Sequence, residues 1–411
     1  MEFLVNEKIP CVVFEDDHLL VVNKPAGLNT HSPSPYAGEG LYDWLKNRRP
    51  RWADLAIIHR LDKETSGLIV FGKSTAANRS LTAQFSEHTV RKNYSLLTDR
   101  PVAFEKLTAK SSLVRAGEKY LSRPVHPGGS AAETRFLLPG RTSERRVTRV
   151  PNSLLIEAEP ITGKTHQIRV HAAEHGFPIL GDTLYGGTPA PRVYLCARSL
   201  AFQHPVTDKE MKLEIDPDFS LDPRRTLRRT LIDPDATNAY RLVHGASDGW
   251  PGWYVDRFGD FLLSQSETSL TAEQKKFLET YLDENGLRGA YHKILNRRVQ
   301  QTAREELSLK HVLGESAPEE FSIVENGIRF AIRFDEGYSV GLFLDQRDNR
   351  RRWLTRHVAA HFPIPGSANL EVLNAFSYTC GFSVGAARAG AQVTSLDLSK
   401  KYLEWGRHNF V

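Results

Sequence analysis

Apolar residues along the chain fall mostly into short runs, some alternating with polar positions and some continuous, which is the pattern of strands punctuated by turns. "CVVFEDDHLLVVNKPAGL" (11–28) predicts two strands around an acidic turn, and "RKNYSLLT" (91–98) and "SLLIEAE" (153–159) predict two more. "STAANRSLTAQFSEH" (74–88) has helical spacing. No regular strand–helix–strand alternation appears here, so an α+β arrangement on a mixed, largely antiparallel sheet is expected. The Pro- and Asp-rich "EIDPDFSLDP" (214–223) breaks the pattern. Beyond it, "RLVHGASDGWPGWYVDRFGDFLLSQ" (241–265) predicts strands, "TAEQKKFLETYLDENG" (271–286) an amphipathic helix ended by Gly286, and "FSIVENGIRFAIRF" (321–334) a hairpin with an Asn-Gly turn. "NLEVLNAFSYTCGFSVGAARAGAQVTSLDLS" (369–399) then reads as strand, small-residue loop, helix, strand and acidic residue, the opening of a doubly wound nucleotide-binding fold.

At 411 residues, 40% hydrophobic and 25% charged, the chain is too long for one ordinary domain. The expected division is 1–221 for the first domain, 222–239 for a basic linker, 240–345 for an α+β connector and 346–411 for the doubly wound part. No apolar stretch is long enough to span a membrane and the N-terminus lacks a signal-peptide pattern, so a cytoplasmic protein with no membrane partner is expected. Three cysteines without C-x-x-C spacing exclude a disulfide framework and a zinc knuckle. The net charge of +5 is unevenly placed. "DPRRTLRRT" (222–230), "NRR" (296–298) and "DQRDNRRRW" (345–353) are arginine clusters able to cradle phosphates or to form solvated faces.

The candidate chemistry starts in "IIHRLDKETSGLIVFGKS" (57–74), which sets His59, Arg60 and Asp62 between two apolar segments. Asp62 reads locally as a turn residue. "HAAEH" (171–175) matches an H-x-x-E-H zinc string, with His171 and His175 on one helix face, but no third ligand follows. A histidine bonded to a backbone carbonyl is the better account, and no metal is expected.

"HRLDKETSGLIVFGK" together with "TGKTHQIRVH" and the "PILGD" and "YGG" elements after it closely resembles the signature motifs of the RluA family of pseudouridine synthases, over roughly residues 8–218. The resemblance implies that Asp62 is the catalytic aspartate and that Arg169 pairs with it. It also implies that Tyr94 packs on the base and that Arg60 fills the space left by a flipped uridine. His59 is expected to be structural. The reaction moves a base from one carbon–nitrogen bond to a carbon–carbon bond without net change of atoms, so no cofactor is expected. The carboxylate either captures the anomeric carbon or removes a neighbouring proton, and both routes need it ionised. The partner implied is RNA, rRNA first and tRNA second, for a monomeric enzyme.

"DGWPGWYVDRFGD", "GLFLDQR" and "FSYTCGF" resemble RlmI-type methyltransferases of large-subunit rRNA, over about 240–411. This implies S-adenosylmethionine, with Tyr378 and Gly381 in the loop around it and Asp397 on its ribose. The sequence stops within the second helix of that sheet, so a truncated methyltransferase region without methyl transfer is expected. A second reading leaves the C-terminal part as an RNA-binding module only.

Overall fold

In a computed structural model, the chain is described outside residues 1–7, 35–39, 126–130, 140–149, 218, 220–222, 296–308, 336–338, 365–369 and 411. It divides into two compact units, one built on Pro10–Leu231 and the other on the chain from Ile232 onward.

The first unit carries strands β1 (Val12–Glu15), β2 (Leu19–Lys24), β3 (Ala56–Ile57), β4 (Ser66–Gly72), β5 (Arg91–Thr98) and β6 (Lys106–Ala116). β7 (Lys119–Arg123), β8 (Ala131–Leu137), β9 (Leu154–Pro160), β10 (Leu195–Gln203) and β11 (Glu210–Glu214) follow. Its helices are α1 (Leu41–Lys46), α2 (Thr75–Ser86), α3 (Gln167–Glu174) and α4 (Pro223–Leu231). The strand order is β1-β2-β4-β10-β5-β9-β8-β6-β7, with β3 on β4 and β11 on β10. Among the described strands of this sheet only β4 and β10 pair in parallel, so the sheet is mixed and largely antiparallel, as the turn-rich pattern predicts.

The continuous apolar run of β4 is buried along its whole length, because the strand is central and covered on both faces. On one face Leu68 and Val70 pack with Ala77 and Leu81 of α2, whose first turn is capped by the Ser74 hydroxyl accepting from the Ala77 N–H. A second core joins Leu96, Phe136 and Ile156 of the sheet to Ile168 and Ala172 of α3. Ala197 on β10 lies opposite Tyr94 on β5 and Gly67 on β4, which aligns the centre of the sheet in one row. Gly67 is required there: its φ is +118° and a Cβ would stand 2.4 Å from the Ala197 carbonyl oxygen.

In the second unit β12 (Ala239–His244), β13 (Trp253–Phe258), β14 (Phe261–Ser266), β15 (Gly289–Ile294) and β16 (Lys310–Gly314) form one sheet in that order. Helix α5 (Ala272–Asn285) begins with a Thr271–Gln274 capping box and ends at Gly286, as its sequence predicts. β17 (Phe321–Glu325) and β18 (Ile328–Ile332) make the hairpin, turning at Asn326 and Gly327 with φ of 52° and 76°. After α6 (Arg347–Thr355) come the short β19 (His357–Ala359) and β20 (Phe362–Pro363). β21 (Glu371–Ala375), α7 (Gly381–Arg388) and β22 (Gln392–Leu396) then form a parallel strand–helix–strand unit, followed by α8 (Lys400–Arg407).

Two local expectations change. The stretch expected as a basic linker at 222–239 contains helix α4, and Ala236 and Thr237 after it are buried. Phe258, Ile323, Phe330, Leu342 and Val384 share one core, so residues on both sides of the boundary expected at 345/346 pack together. Two arginines of α6 are also internal. Arg350 donates to both oxygens of Glu325 at 2.7 and 2.8 Å, with side chains only 4% and 0% exposed, and Arg351 is buried beside Asp348. The 296–298 cluster lies outside the described residues.

Replacing Arg350 with Met would strand the Glu325 carboxylate in the core, and a loss of about 3–5 kcal/mol is expected for breaking such a pair. Urea denaturation followed by tryptophan fluorescence reads this, with Arg407→Ala, which removes only an exposed helix-surface pair, as the variant that leaves the midpoint in place.

Candidate active site

Asp62 sits in the turn before β4, where the Thr65 N–H donates to its carbonyl at 3.1 Å. Both neighbours of Asp62 are tied down by the loop that follows β2. The Thr30 hydroxyl donates to the Leu61 carbonyl at 2.8 Å and accepts from the Leu61 N–H. The Lys63 carbonyl accepts from the Gly27 N–H at 2.8 Å and from the ammonium of Lys24 at 3.2 Å. Lys24 is fully buried and also donates to the carbonyls of Pro25 and Leu28. Burial pushes its pKa down to about 7, against the opposing pull of Asp62 and Glu64. Asp62 is thus a turn residue, as its local sequence suggests, in a turn clamped from below.

Arg169 projects from α3 with its side chain only 6% exposed. Its principal partner is Asp182: Nε and Nη2 donate to the two carboxylate oxygens at 2.6 and 2.7 Å, whereas Nη1 stands 3.8 Å from Asp62 Oδ2. The pairing expected from sequence is therefore shared, with Asp182 holding the fork and Asp62 facing its remaining nitrogen. Burial works against the charge on Arg169, but the bonds to Asp182 outweigh it and raise the pKa above the ordinary arginine value. Asp182 is delivered by Gly181, whose φ is +84° and whose Cβ, were there one, would lie 1.7 Å from the Arg192 carbonyl oxygen.

His166 completes the ring around Asp62. It caps α3 in the left-handed region, at φ 56°, with Nε2 at 3.9 Å from Asp62 Oδ2 and Nδ1 at 2.7 Å from the Tyr185 hydroxyl. The Tyr185 oxygen also accepts from the Tyr120 N–H; with the Tyr185 proton donated to His166 Nδ1, the imidazole proton stands on Nε2, toward Asp62. Burial lowers the His166 pKa, Asp62 opposing, so the ring is neutral at pH 7. Tyr94 lies half-buried on the same side of the cavity, and burial, then the Asp62 charge, raises its pKa and keeps the phenol protonated. Arg60 is exposed at the rim, Nη2 at 3.4 Å from the Thr165 hydroxyl.

Asp62, Tyr94, Arg169 and Arg60 all line one cavity of about 400 Å³, together with Lys92, Lys164 and His166. Asp182 lies in the quoted "PILGD", Tyr185 in "YGG" and His166 in "TGKTHQIRVH", yet nothing in their spacing distinguishes them from turn and helix-cap residues. His59 accepts from the Val70 N–H at 3.1 Å and stacks on Phe85 with ring centroids 4.4 Å apart. His171 is buried with its two ring nitrogens on the hydroxyls of Ser111 and Thr134 at 3.0 and 2.8 Å, so its partners are hydroxyls and not the carbonyl expected. Among the described residues no group of His, Cys, Asp and Glu is arranged to hold a metal.

In the second unit Tyr378 and Asp397 also come together, and Gly381 follows Tyr378 by three residues. The Asp397 oxygens accept from the Tyr378 N–H at 2.8 Å and the Ser399 N–H at 2.9 Å, and Gly381 opens α7.

One carboxylate fixed between a buried arginine and a neutral histidine, under a rim of Arg60, Lys92 and Lys164, defines an enzyme acting on a polyanion. The sequence profile described as RNA pseudouridylate synthase matches residues 18–174, and that of S-adenosylmethionine-dependent methyltransferases matches 241–411. The chain is 34% identical over 232 residues to ribosomal large subunit pseudouridine synthase C of Vibrio cholerae, covering 53% of this chain and 69% of that protein. Among solved structures it resembles human RNA pseudouridylate synthase domain containing 1 (20% identity, TM-score 0.42, 56% of this chain and 91% of that one). It also resembles a putative methyltransferase from Streptococcus mutans (30% identity, TM-score 0.37, 51% of this chain and 54% of that one), so it spans about half of that protein. The chain belongs to the RNA pseudouridylate synthase family, and it carries a methyltransferase region after the synthase.

Two outcomes are expected. Asp182→Ala leaves the Arg169 guanidinium buried without its fork partner, which should lower stability by about 3–5 kcal/mol and draw Arg169 onto Asp62; thermal denaturation and activity assays read both. His59, by contrast, works only as a neutral ring, since burial, with Lys92 nearby, pushes its pKa down to about 3 from 6.5. Its contribution is complete above pH 6.5 and is lost as pH falls toward 3. Denaturation of wild type and His59→Gln between about pH 7 and pH 4 should show the wild type losing roughly 1 kcal/mol more, less than full linkage because the ring is partly exposed.

Proposed function

We propose that the first unit isomerises a uridine of large-subunit rRNA to pseudouridine with Asp62 acting on the sugar. The observation that carries this is Asp62 itself, the one carboxylate lining the cavity, clamped at both neighbouring residues and faced by Arg169 and His166. Family membership supports the reaction. The likeness to the ribosomal large subunit pseudouridine synthase of Vibrio cholerae supports the large ribosomal subunit as substrate.

In the reaction the bond between the ribose C1′ and N1 of the base breaks, the base turns, C5 bonds to C1′, and the C5 proton departs while N1 gains one. Asp62 either attacks C1′ or takes the C2′ proton. In both routes the anion is held by the Arg169 charge and the His166 Nε2–H, and water is excluded by the base packed on Tyr94. Tyr94, kept protonated by burial, acts as a packing surface for the base. Arg60 at the exposed rim stands where it can enter the stack vacated by the flipped uridine, whose unstacking costs a few kcal/mol. The setting proposed is the cytoplasm; among the described residues no helix is long and apolar enough to cross a membrane.

The second unit is proposed to hold S-adenosylmethionine. Asp397 is fixed by two backbone N–H donors and keeps lone pairs for two ribose hydroxyls, so the residues fit the group. Tyr378 and Gly381 would line it, and when bound it supplies an electrophilic methyl group. Calorimetry with S-adenosylmethionine on wild type and Asp397→Ala reads this, with binding expected only in the former.

Asp62→Asn should reduce pseudouridine formation by at least about three orders of magnitude with rRNA binding nearly unchanged, because the amide is isosteric but neither attacks nor accepts a proton. Mapping pseudouridines in total RNA from cells carrying wild type, the variant or neither reads the target. Activity within tenfold of wild type would remove Asp62 from its role, and a site in tRNA would replace the substrate.

A further inference from the structure

We propose that Lys92, with the backbone of Gly163 beside it, forms a phosphate subsite that grips the RNA backbone next to the uridine held over Asp62. The proposal deepens the synthase reading and rests on it. Lys92 and Tyr94 are two residues apart on β5, so their side chains leave the same face of the strand, and both line the cavity that contains Asp62. The ammonium of Lys92 lies 3.8 Å from where a Cβ on Gly163 would stand, so the absent side chain leaves the lysine room beside that loop. The loop itself is fixed. Gln167 Oε1 accepts from the Thr162 hydroxyl at 2.6 Å and the Lys164 N–H at 3.0 Å, and its Nε2 donates to the Glu133 carbonyl and the Thr134 hydroxyl.

What marks the lysine is the lack of an internal partner. Arg169 is engaged by Asp182, Lys24 by three carbonyls and Arg60 by Thr165, while Lys164 is exposed to solvent. Among the described residues Lys92 pairs with no carboxylate and no carbonyl, although it is half-buried and burial lowers its pKa. The Gly163 N–H likewise donates to no acceptor among the described residues. A half-buried ammonium without a counter-ion weakens the folded state, and such a cost persists where a ligand supplies the missing charge. The cavity lining holds one acid, Asp62, against Arg60, Lys92, Lys164 and Arg169, so the charge still missing is negative. A phosphodiester flanking the flipped nucleotide supplies it, with one non-bridging oxygen on the Lys92 ammonium and another on the Gly163 N–H.

The test compares wild type, Lys92→Met and Lys92→Arg on a large-subunit rRNA transcript, measuring steady-state pseudouridine formation, rRNA binding across a salt series, and thermal midpoint. The Met variant should raise KM about tenfold with kcat and its pH profile little changed, and should make the slope of log affinity against log salt shallower by about 0.7–0.9, the value for one lost phosphate contact. Its thermal midpoint should be equal or higher, and Lys92→Arg should recover most of the KM. Unchanged KM and salt slope in the Met variant would overturn the subsite. So would a fall in kcat with a displaced pH limb, which makes Lys92 a proton-transfer group, or a lowered midpoint, which makes it structural. If wild type forms no pseudouridine on the transcript, the synthase reading fails, and the salt slope still judges Lys92 by itself.

Discussion

The two-point bond between Arg169 and Asp182 is the constraint on which the rest of the first unit turns. A guanidinium and a carboxylate this deeply buried persist only with near-ideal geometry, because desolvation opposes both charges. That geometry has to be assembled from distant parts: α3 must dock through Ile168 and Ala172, and the chain after it must reverse at Gly181 with no side chain in the way. Once the fork is set, the remaining nitrogen of Arg169 has one direction to face, and Asp62 occupies it. The carboxylate proposed to react is thus placed by a second, buried one.

Much of this was legible in the sequence, and the parts that were not share a cause. Strand runs, the Ser74 and Thr271 caps, the Gly286 stop and the Asn326–Gly327 hairpin are local signals, and the chain follows each of them. Asp62, Tyr94, Arg60 and Arg169 could be named because long motifs carry them. Asp182, His166 and Tyr185 stood within those motifs unrecognised, since their importance lies in contacts across 13 or more residues of chain, as between Arg169 and Asp182. The arginines of α6 erred in the other direction. Charge clustering suggests an external face, but Arg350 finds Glu325 inside the fold, a partner that composition cannot reveal.

The second unit shows strain where its sequence shows only small residues. Phe376, Tyr378 and Cys380 all take positive φ, an alternation that non-glycine residues adopt at a cost of order 1–3 kcal/mol each. The Asp397 carboxylate offsets part of that cost by accepting the Tyr378 N–H, so the same side chain braces the loop and presents its free lone pairs outward. A loop of this kind is held in shape before any ligand arrives.

The cysteines carry a different consequence. Cys196 lies on β10 directly opposite Ser66, four residues from Asp62, and burial pushes its thiol pKa up to about 11; Cys11 is pushed up to about 12. Thiols so rarely ionised are poor nucleophiles and poor targets for peroxide or alkylating agents. The sulfur that lies closest in sequence register to Asp62 is thus held as an inert thiol inside the sheet, a packing group and not a redox centre.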